Sequence, residues 1–440
     1  MKAITKALKT INYRLFLAIL LLMLFPTIYQ TVRIYFLGEL PNDWGLNIAS
    51  QLSWVSLFYE IIQEALILPL FFVLGKSLSN KNEFINKIKG GLLLTGIIYF
   101  ILSCVLFIFA KPLVIFMAQD KELVDATVDY IRLETVAALL STLFKFMLTV
   151  LITLKKDGYM YLTLGIQMLL SILLDTFLVS NLNVSLKIGV NGVAITNIIV
   201  NSISLVICLF LLKNENMSIF TGEKMSFTWV KEWFQVGKYS GLESLVRNVV
   251  FSIMIIRMVN MVSEQGSYWV ANNFIWNWLL LPALALGDLI KKEVAEEKNN
   301  IQTKTFGYII LTVIFTLLWL VSIPLWKPFL RIVMNVDVYE TVYYIALIQT
   351  AFYITFIFNH ICDSTFYGVG RTDYMLIQSI CIDICYYGIA FILYLKRIFV
   401  PSLLSISLLF GIGMATDFIP TLILYLRMLK KMNMKILIKE

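Results

Sequence analysis

Long apolar runs recur along the whole chain, and no other feature restricts its folding so much. "LLLTGIIYFILSCVLFIFA" and "FGYIILTVIFTLLWLVSIPLW" are two of them. A run of about 18 or more such residues, wound as a helix, is long enough to cross the hydrocarbon layer of a bilayer. Of the 440 residues, 59% are hydrophobic and 15% charged, and the mean hydropathy is +0.83. One soluble core could not hide that much apolar surface. The expected fold class is an all-α polytopic membrane protein with about twelve transmembrane helices.

The first run, Leu15 to Phe25, follows Lys2, Lys6 and Lys9 and so imitates a signal peptide. No small-x-small cleavage site comes after it, and a retained first helix is expected. The five cysteines, Cys104, Cys208, Cys362, Cys381 and Cys385, all lie in apolar segments and are expected to be free, buried thiols. Cys381 and Cys385 are one helical turn apart, but His360 is the single histidine, and no metal site is expected.

The net charge of +8 is explained by where it sits. Basic residues gather in alternate loops: Lys2 to Arg14, Lys76 to Lys89, Lys155 and Lys156, Lys213 to Lys238, Lys291 to Lys304, Arg371, and Arg427 to Lys439. The intervening loops carry fewer. This is the positive-inside pattern, with both termini cytoplasmic and the lipid bilayer, not nucleic acid, as the surrounding partner.

The polar segment "KNENMSIFTGEKMSFTWVKEW" separates two sets of spans. The expected organisation is a six-helix lobe over 1–213, a cytoplasmic linker over 214–230 and a second six-helix lobe over 231–440. The halves echo each other. "KPLVIFMAQDKELVDATVDYIRL" from Lys111 aligns with "KPFLRIVMNVDVYETVYYIAL" from Lys327, and Tyr159-Met160 aligns with Tyr374-Met375. Two parallel repeats of this kind are expected to be related by an axis along the membrane normal, with a substrate route between them.

Three segments carry a family resemblance. "IGVNGVAITN", Ile188 to Asn197, resembles the Gly-Val-x-Gly-Ala-Ala-x-Ala-Thr signature of the sixth helix of the multidrug and toxic compound extrusion (MATE) family, within the wider multidrug/oligosaccharidyl-lipid/polysaccharide flippase superfamily. The segment around Gly237, Gly241 and Glu243 is similar to the family's seventh-helix pattern, with Tyr239 where proline is usual. "FYGVGRTDYM" resembles its Gly-x-Gly-x-Thr motif through Gly368, Gly370 and Thr372.

The resemblance implies a cation-coupled antiporter: H⁺ or Na⁺ enters while a small amphipathic compound leaves through the cell membrane by alternating access. Such multidrug and xenobiotic export is expected of a monomer that is not an enzyme. It needs no resident cofactor, the coupling ion being transported. The resemblance also implies that Asp175 is the fifth-helix aspartate that ligates Na⁺ or accepts a proton. Ser171 stands where asparagine is usual, and Thr196 is the threonine lining the same site. The first-helix aspartate has no counterpart, since "FPTIYQTVRIYFLGELPNDWG" offers Arg33, and then only Glu39 and Asp43 near Gly38 and Pro41. Where one branch of the family has a seventh-helix glutamate, this chain has Arg247.

An ionisable residue in a span costs on the order of 3 kcal/mol on insertion scales and must face the protein interior. Glu243 is four residues before Arg247, as in an intrahelical ion pair. Arg33 and Arg247 are otherwise cavity candidates, beside Lys145 and Arg257, with Glu60, Glu64 and Glu134 as compensating acids. His360 and Asp363, three apart, form a candidate proton-responsive pair. Asn273 and Trp276 are further cavity candidates. Internal arginines also fit a second reading, a flippase for a lipid-linked sugar or other anionic lipid. A membrane-embedded transferase is the least favoured, because no soluble catalytic segment or cluster of Asp, His or Ser at a membrane edge is present in the sequence.

Overall fold

The computed structural model describes residues 2–40, 44–78, 80–154, 156–215, 217 and 225–434, which are helical with no strand among them. Pro41, Asp43, Lys155, part of the expected linker (216 and 218–224) and the tail with Lys439 lie outside the described residues.

Two compact units are present. One comprises residues 28–266 and the other residues 1–27 with 267–440. The first holds α3 (Trp44–Ser50), α4 (Leu52–Gly75), α5 (Lys81–Ile108), α6 (Ala110–Phe116), α7 (Val124–Thr153), α8 (Asp157–Leu178), α9 (Val190–Asn214), α10 (Val230–Phe251) and α11 (Arg257–Met261). The second holds α1 (Lys2–Leu8), α13 (Leu281–Glu296), α14 (Asn300–Pro328), α15 (Tyr339–Val369), α16 (Thr372–Ile382), α17 (Ile389–Leu395) and α18 (Leu403–Lys431). The divisions fall inside α2 (Tyr13–Gly38) and α12 (Gln265–Phe274). Among the described residues four π-helical turns interrupt or extend helices, at Ser252–Ile256, Ile275–Leu279, Phe329–Val333 and Asp383–Gly388.

Nine of the described helices are long and apolar enough to cross a membrane, or ten if the bent pair Gln265–Leu279 and Leu281–Glu296 is one span. Every 18-residue stretch of α10 includes Lys238, Glu243 and Arg247, which makes it too charged to be among them.

The packing units cross the boundaries expected from the sequence halves: residues 1–27 group with 267–440, and α10 groups with 28–266. That helix opens the second half of the sequence yet packs on α4. Gly237 permits this, since a Cβ there would overlap the Ala65 carbonyl of α4. Trp233 Nε1 donates to the Leu66 carbonyl at 2.8 Å and Ser240 Oγ to the Glu64 carbonyl at 2.9 Å, so the contact is polar as well as close. Below it lies an apolar cluster that includes Leu70, Phe84, Phe146, Met147 and Trp233. In the other unit, Leu289, Ile301, Tyr308, Phe366 and Met428 form the core with Ile11 and Phe16.

Helix starts are set locally. Asn80 accepts from the Glu83 amide ahead of α5, and Ser402 forms a reciprocal capping box with Ser405 ahead of α18. All five cysteines are free, with Cys208 and Cys362 buried as expected. Cys381 and Cys385 are instead exposed, as is the neighbouring Ile384, on a face that a bilayer would solvate with lipid.

Candidate functional site

The site in residues 28–266 begins with the glycine-rich entry to α9. Gly189 precedes the helix at φ +73°, a conformation that disfavours any side chain. One turn on, a Cβ at Gly192 would approach the Leu178 carbonyl to 2.9 Å, so its absence lets α9 begin hard against the end of α8. Thr196 and Asn197, which follow on α9, are thereby held beside helices that carry acids.

Asp175 on α8 is the first of these, and it has a resident cation. Arg33 Nε donates to Asp175 Oδ2 at 2.8 Å, with side-chain exposures of 12% and 1%. Glu134 on α7 is 3% exposed and accepts from Asn197 Nδ2 at 2.8 Å. Arg33 and Asp175 both act on Glu134 through charge, and Tyr130 adjoins it. Around these contacts Arg33 Nη2, Asp175 Oδ1 and Thr196 Oγ1 are buried without a hydrogen-bond partner among the described residues. Removing one partner of a buried ion pair costs about 3–5 kcal/mol, because the other is left uncompensated.

Of the residues the sequence singled out for ion coupling, Asp175, Thr196 and Ser171 are all buried in this unit. Arg33 joins them, not as a free cavity charge but as the partner of Asp175. Glu134 was legible only as one of several compensating acids. Its signal was an acid deep in a 30-residue apolar helix, together with an asparagine after the signature threonine.

A second charged group in the same unit lies between α10 and α4. Arg247 Nε donates to Glu243 Oε1 at 3.0 Å, the expected intrahelical pair, and its Nη2 donates to Glu60 Oε1 at 3.2 Å. Lys145 Nζ donates to Gln63 Oε1 at 2.9 Å. Glu64 is present on the same helix, α4, with its Oε2 buried. Arg257 is engaged elsewhere, donating to the Phe116 carbonyl at 2.7 Å.

In the other unit the acids meet amides. Gln378 Nε2 donates to Asp363 Oδ1 at 2.9 Å, Thr421 Oγ1 to Gln378 Oε1 at 2.9 Å, and Asn359 Nδ2 to Asp417 Oδ2 at 2.9 Å. His360 stacks on Phe356 with a centroid separation of 5.7 Å, its Nε2 buried without a partner among the described residues. His360 and Asp363 thus engage different neighbours. Trp276 Nε1 donates to Tyr353 Oη at 2.9 Å and its ring meets Phe356 edge-on, while Asn273 donates to the Trp269 carbonyl and accepts from Asn277. Among the described residues no group of three or more His, Cys, Asp and Glu could hold a metal ion.

No protein-family model matches the chain, and no curated protein does. Solved structures do. The chain is similar to the inward-facing form of a multidrug resistance MATE family transporter of the MOP superfamily, with 16% identity, TM-score 0.78, and coverage of 92% of this chain and 95% of that one. It is similar to a point mutant of the Vibrio cholerae MATE transporter VcmN, at 14% identity, TM-score 0.69, and coverage of 98% and 99%. It is also similar to a MOP superfamily transporter from Pyrococcus furiosus Vc1, at 14% identity, TM-score 0.70, and coverage of 99% of each chain. The reversed polarity of that protein's binding pocket suggests a different function for it. At these identities the likeness establishes the fold: the chain is a multi-pass helical membrane protein with the MATE architecture.

Proposed function

We propose that this protein is a cation-coupled antiporter that exports small amphipathic compounds across the cell membrane by alternating access. H⁺ or Na⁺ moves inward as the coupling ion, and the protein works as a monomer with both termini in the cytoplasm. The observation that carries this reading is a buried ionisable cluster, Arg33, Glu134 and Asp175, inside the MATE fold. Ionisable groups kept within membrane spans are costly and mark ion or proton pathways. Asp175, with Thr196 and Ser171 near it in the sequence pattern, belongs to the coupling centre, and Glu134 adds a second carboxylate.

Substrate charge follows from the balance of the internal side chains. Arg33, Lys145 and Arg247 are opposed by Glu60, Glu64, Glu134, Asp175 and Glu243, and both arginines donate to acids. That balance supports an amphipathic organic cation over a carboxylate or phosphate. The flippase reading, which drew on the internal arginines, is not favoured.

The test is transport by purified protein in liposomes, following a fluorescent organic cation under an imposed pH gradient and then an imposed Na⁺ gradient. Movement driven by one of them is expected and identifies the coupling ion. No movement under either, with folded protein, overturns the reading.

A further inference from the structure

The charged part of the cluster in residues 28–266 does not balance: Asp175 and Glu134 are two carboxylates, and Arg33 is one guanidinium. The pairing divides them. Asp175 is joined to Arg33 at 2.8 Å, while Glu134 is joined at 2.8 Å to the neutral amide of Asn197. A buried site with a surplus negative charge is unfavourable, and such a group neutralises itself instead. Asp175 Oδ1 stays buried and unpartnered among the described residues, and the hydrogen-bonding neighbours of Glu134, Asn197 and Tyr130, are neutral, so no second cation offsets the surplus.

We infer that Glu134 is a proton-binding site, with Arg33 standing as a built-in cation beside Asp175. The surroundings favour a proton over a metal ion. Hard cations require several oxygen ligands, whereas Asn197 turns a donor toward Glu134 and the nearby guanidinium repels a second cation. Asn197 also serves both protonation states. Its NH₂ donates to the carboxylate, and the same amide turned over offers Oδ1 to a carboxylic O–H.

The groups facing Glu134 are few. They are Arg33 from α2, Tyr59 from α4, Asp175 from α8 and Tyr130 from its own helix. From α5, Tyr99 donates to the Tyr59 carbonyl, and Lys111 of α6 pairs with Asp125 at 2.9 Å. α3 has no ionisable residue, and α9 contributes the neutral Asn197.

This inference rests on the proposed ion coupling but is tested apart from it. Infrared difference spectra between acidic and alkaline pH, taken on the full chain in lipid bilayers, read the C=O stretch of protonated carboxyl groups. Subtracting the Glu134→Gln spectrum from that of the wild type cancels the carboxyl groups the two proteins share, and the remainder is expected to show a titrating band. Arg33→Gln, which leaves two acids with no cation, should increase that component about twofold. Asp175→Asn should abolish it, because Glu134 then takes over Arg33 as a carboxylate.

A subtraction that leaves no titrating band overturns the assignment. If Glu134→Gln misfolds, the opposite changes in Arg33→Gln and Asp175→Asn carry the same test, and unchanged bands in both overturn it. A band in the subtraction with no ion-driven transport in the wild type would leave the site standing and remove antiport. Proton-driven transport with no band in the subtraction would do the reverse.

Discussion

Asp175 and the mid-helix acids of the other unit are held in different ways. In residues 28–266, Asp175 meets the guanidinium of Arg33 and Glu134 lies within reach of both charges. In the unit that contains residues 267–440, Asp363 and Asp417 accept from the neutral amides of Gln378 and Asn359, with Thr421 closing the chain of hydrogen bonds. Its buried ion pair, Glu293 with Lys304 at 2.8 Å and the Tyr308 hydroxyl, lies by contrast near the ends of α13 and α14. A fixed internal cation ties an acid to one charge state, because removing the acid's proton is what satisfies the cation. An amide is neutral in both states and leaves the acid free to change. By this comparison Asp175 is the ion-paired acid, while Glu134, Asp363 and Asp417 accept from amides.

The largest expected effect breaks the charged side of the comparison. Arg33→Ala strands Asp175 and should cost about 3–5 kcal/mol, seen as a large fall in thermal unfolding midpoint in detergent. A change no bigger than that of a surface substitution would mean that the pair contributes nothing. Next, Gln378→Leu removes the amide between Asp363 and Thr421 and should cost about 1–3 kcal/mol in the same measurement. If the cost matched that of Arg33→Ala, the distinction between ionic and amide-held acids would disappear.

The smallest stability effect is expected from Arg247→Gln. That side chain is 45% exposed and the amide that replaces its guanidinium still offers a donor to the buried Glu243, so about 1 kcal/mol should be lost. Its informative readout is selectivity. Loss of the guanidinium charge beside Glu60 and Glu243 should shift transport further toward cationic compounds, and an unchanged substrate profile would restrict Arg247 to packing.

What the sequence made legible follows how far apart the cooperating residues lie. The spans could be read from the apolar runs, and the Glu243–Arg247 pair from its spacing of four. The entry to α9 was legible because Gly189 and Gly192 are diagnostic in themselves, one through its φ and the other through a close approach. Arg33 read as a departure from a family pattern, but its partner lies 142 residues away, and nothing local connects them. Glu60 is 187 residues from Arg247 for the same reason. Gly237 and Gly241 were read as part of a family pattern, and nothing in that pattern said that α4 would be the close neighbour. That contact groups α10 with residues 28–266, and only the folded packing reveals it.

The π-helical turns bear on how the length of this chain can change. A turn closed by i→i+5 bonds holds one more residue than an ordinary turn, so beyond it the helix presents a different face for the same count of residues. All four lie in the second half of the sequence, at Ser252–Ile256, Ile275–Leu279, Phe329–Val333 and Asp383–Gly388, and none lies among the described residues before Ser252. A single-residue deletion inside one of them can relax the turn to an α-helix and leave the helix continuous, whereas the same deletion in α7 or α9 would rotate Glu134 or Asn197 away from its partner. Alignment gaps among relatives of this protein should therefore fall inside its spans at these four places, where gaps are least expected.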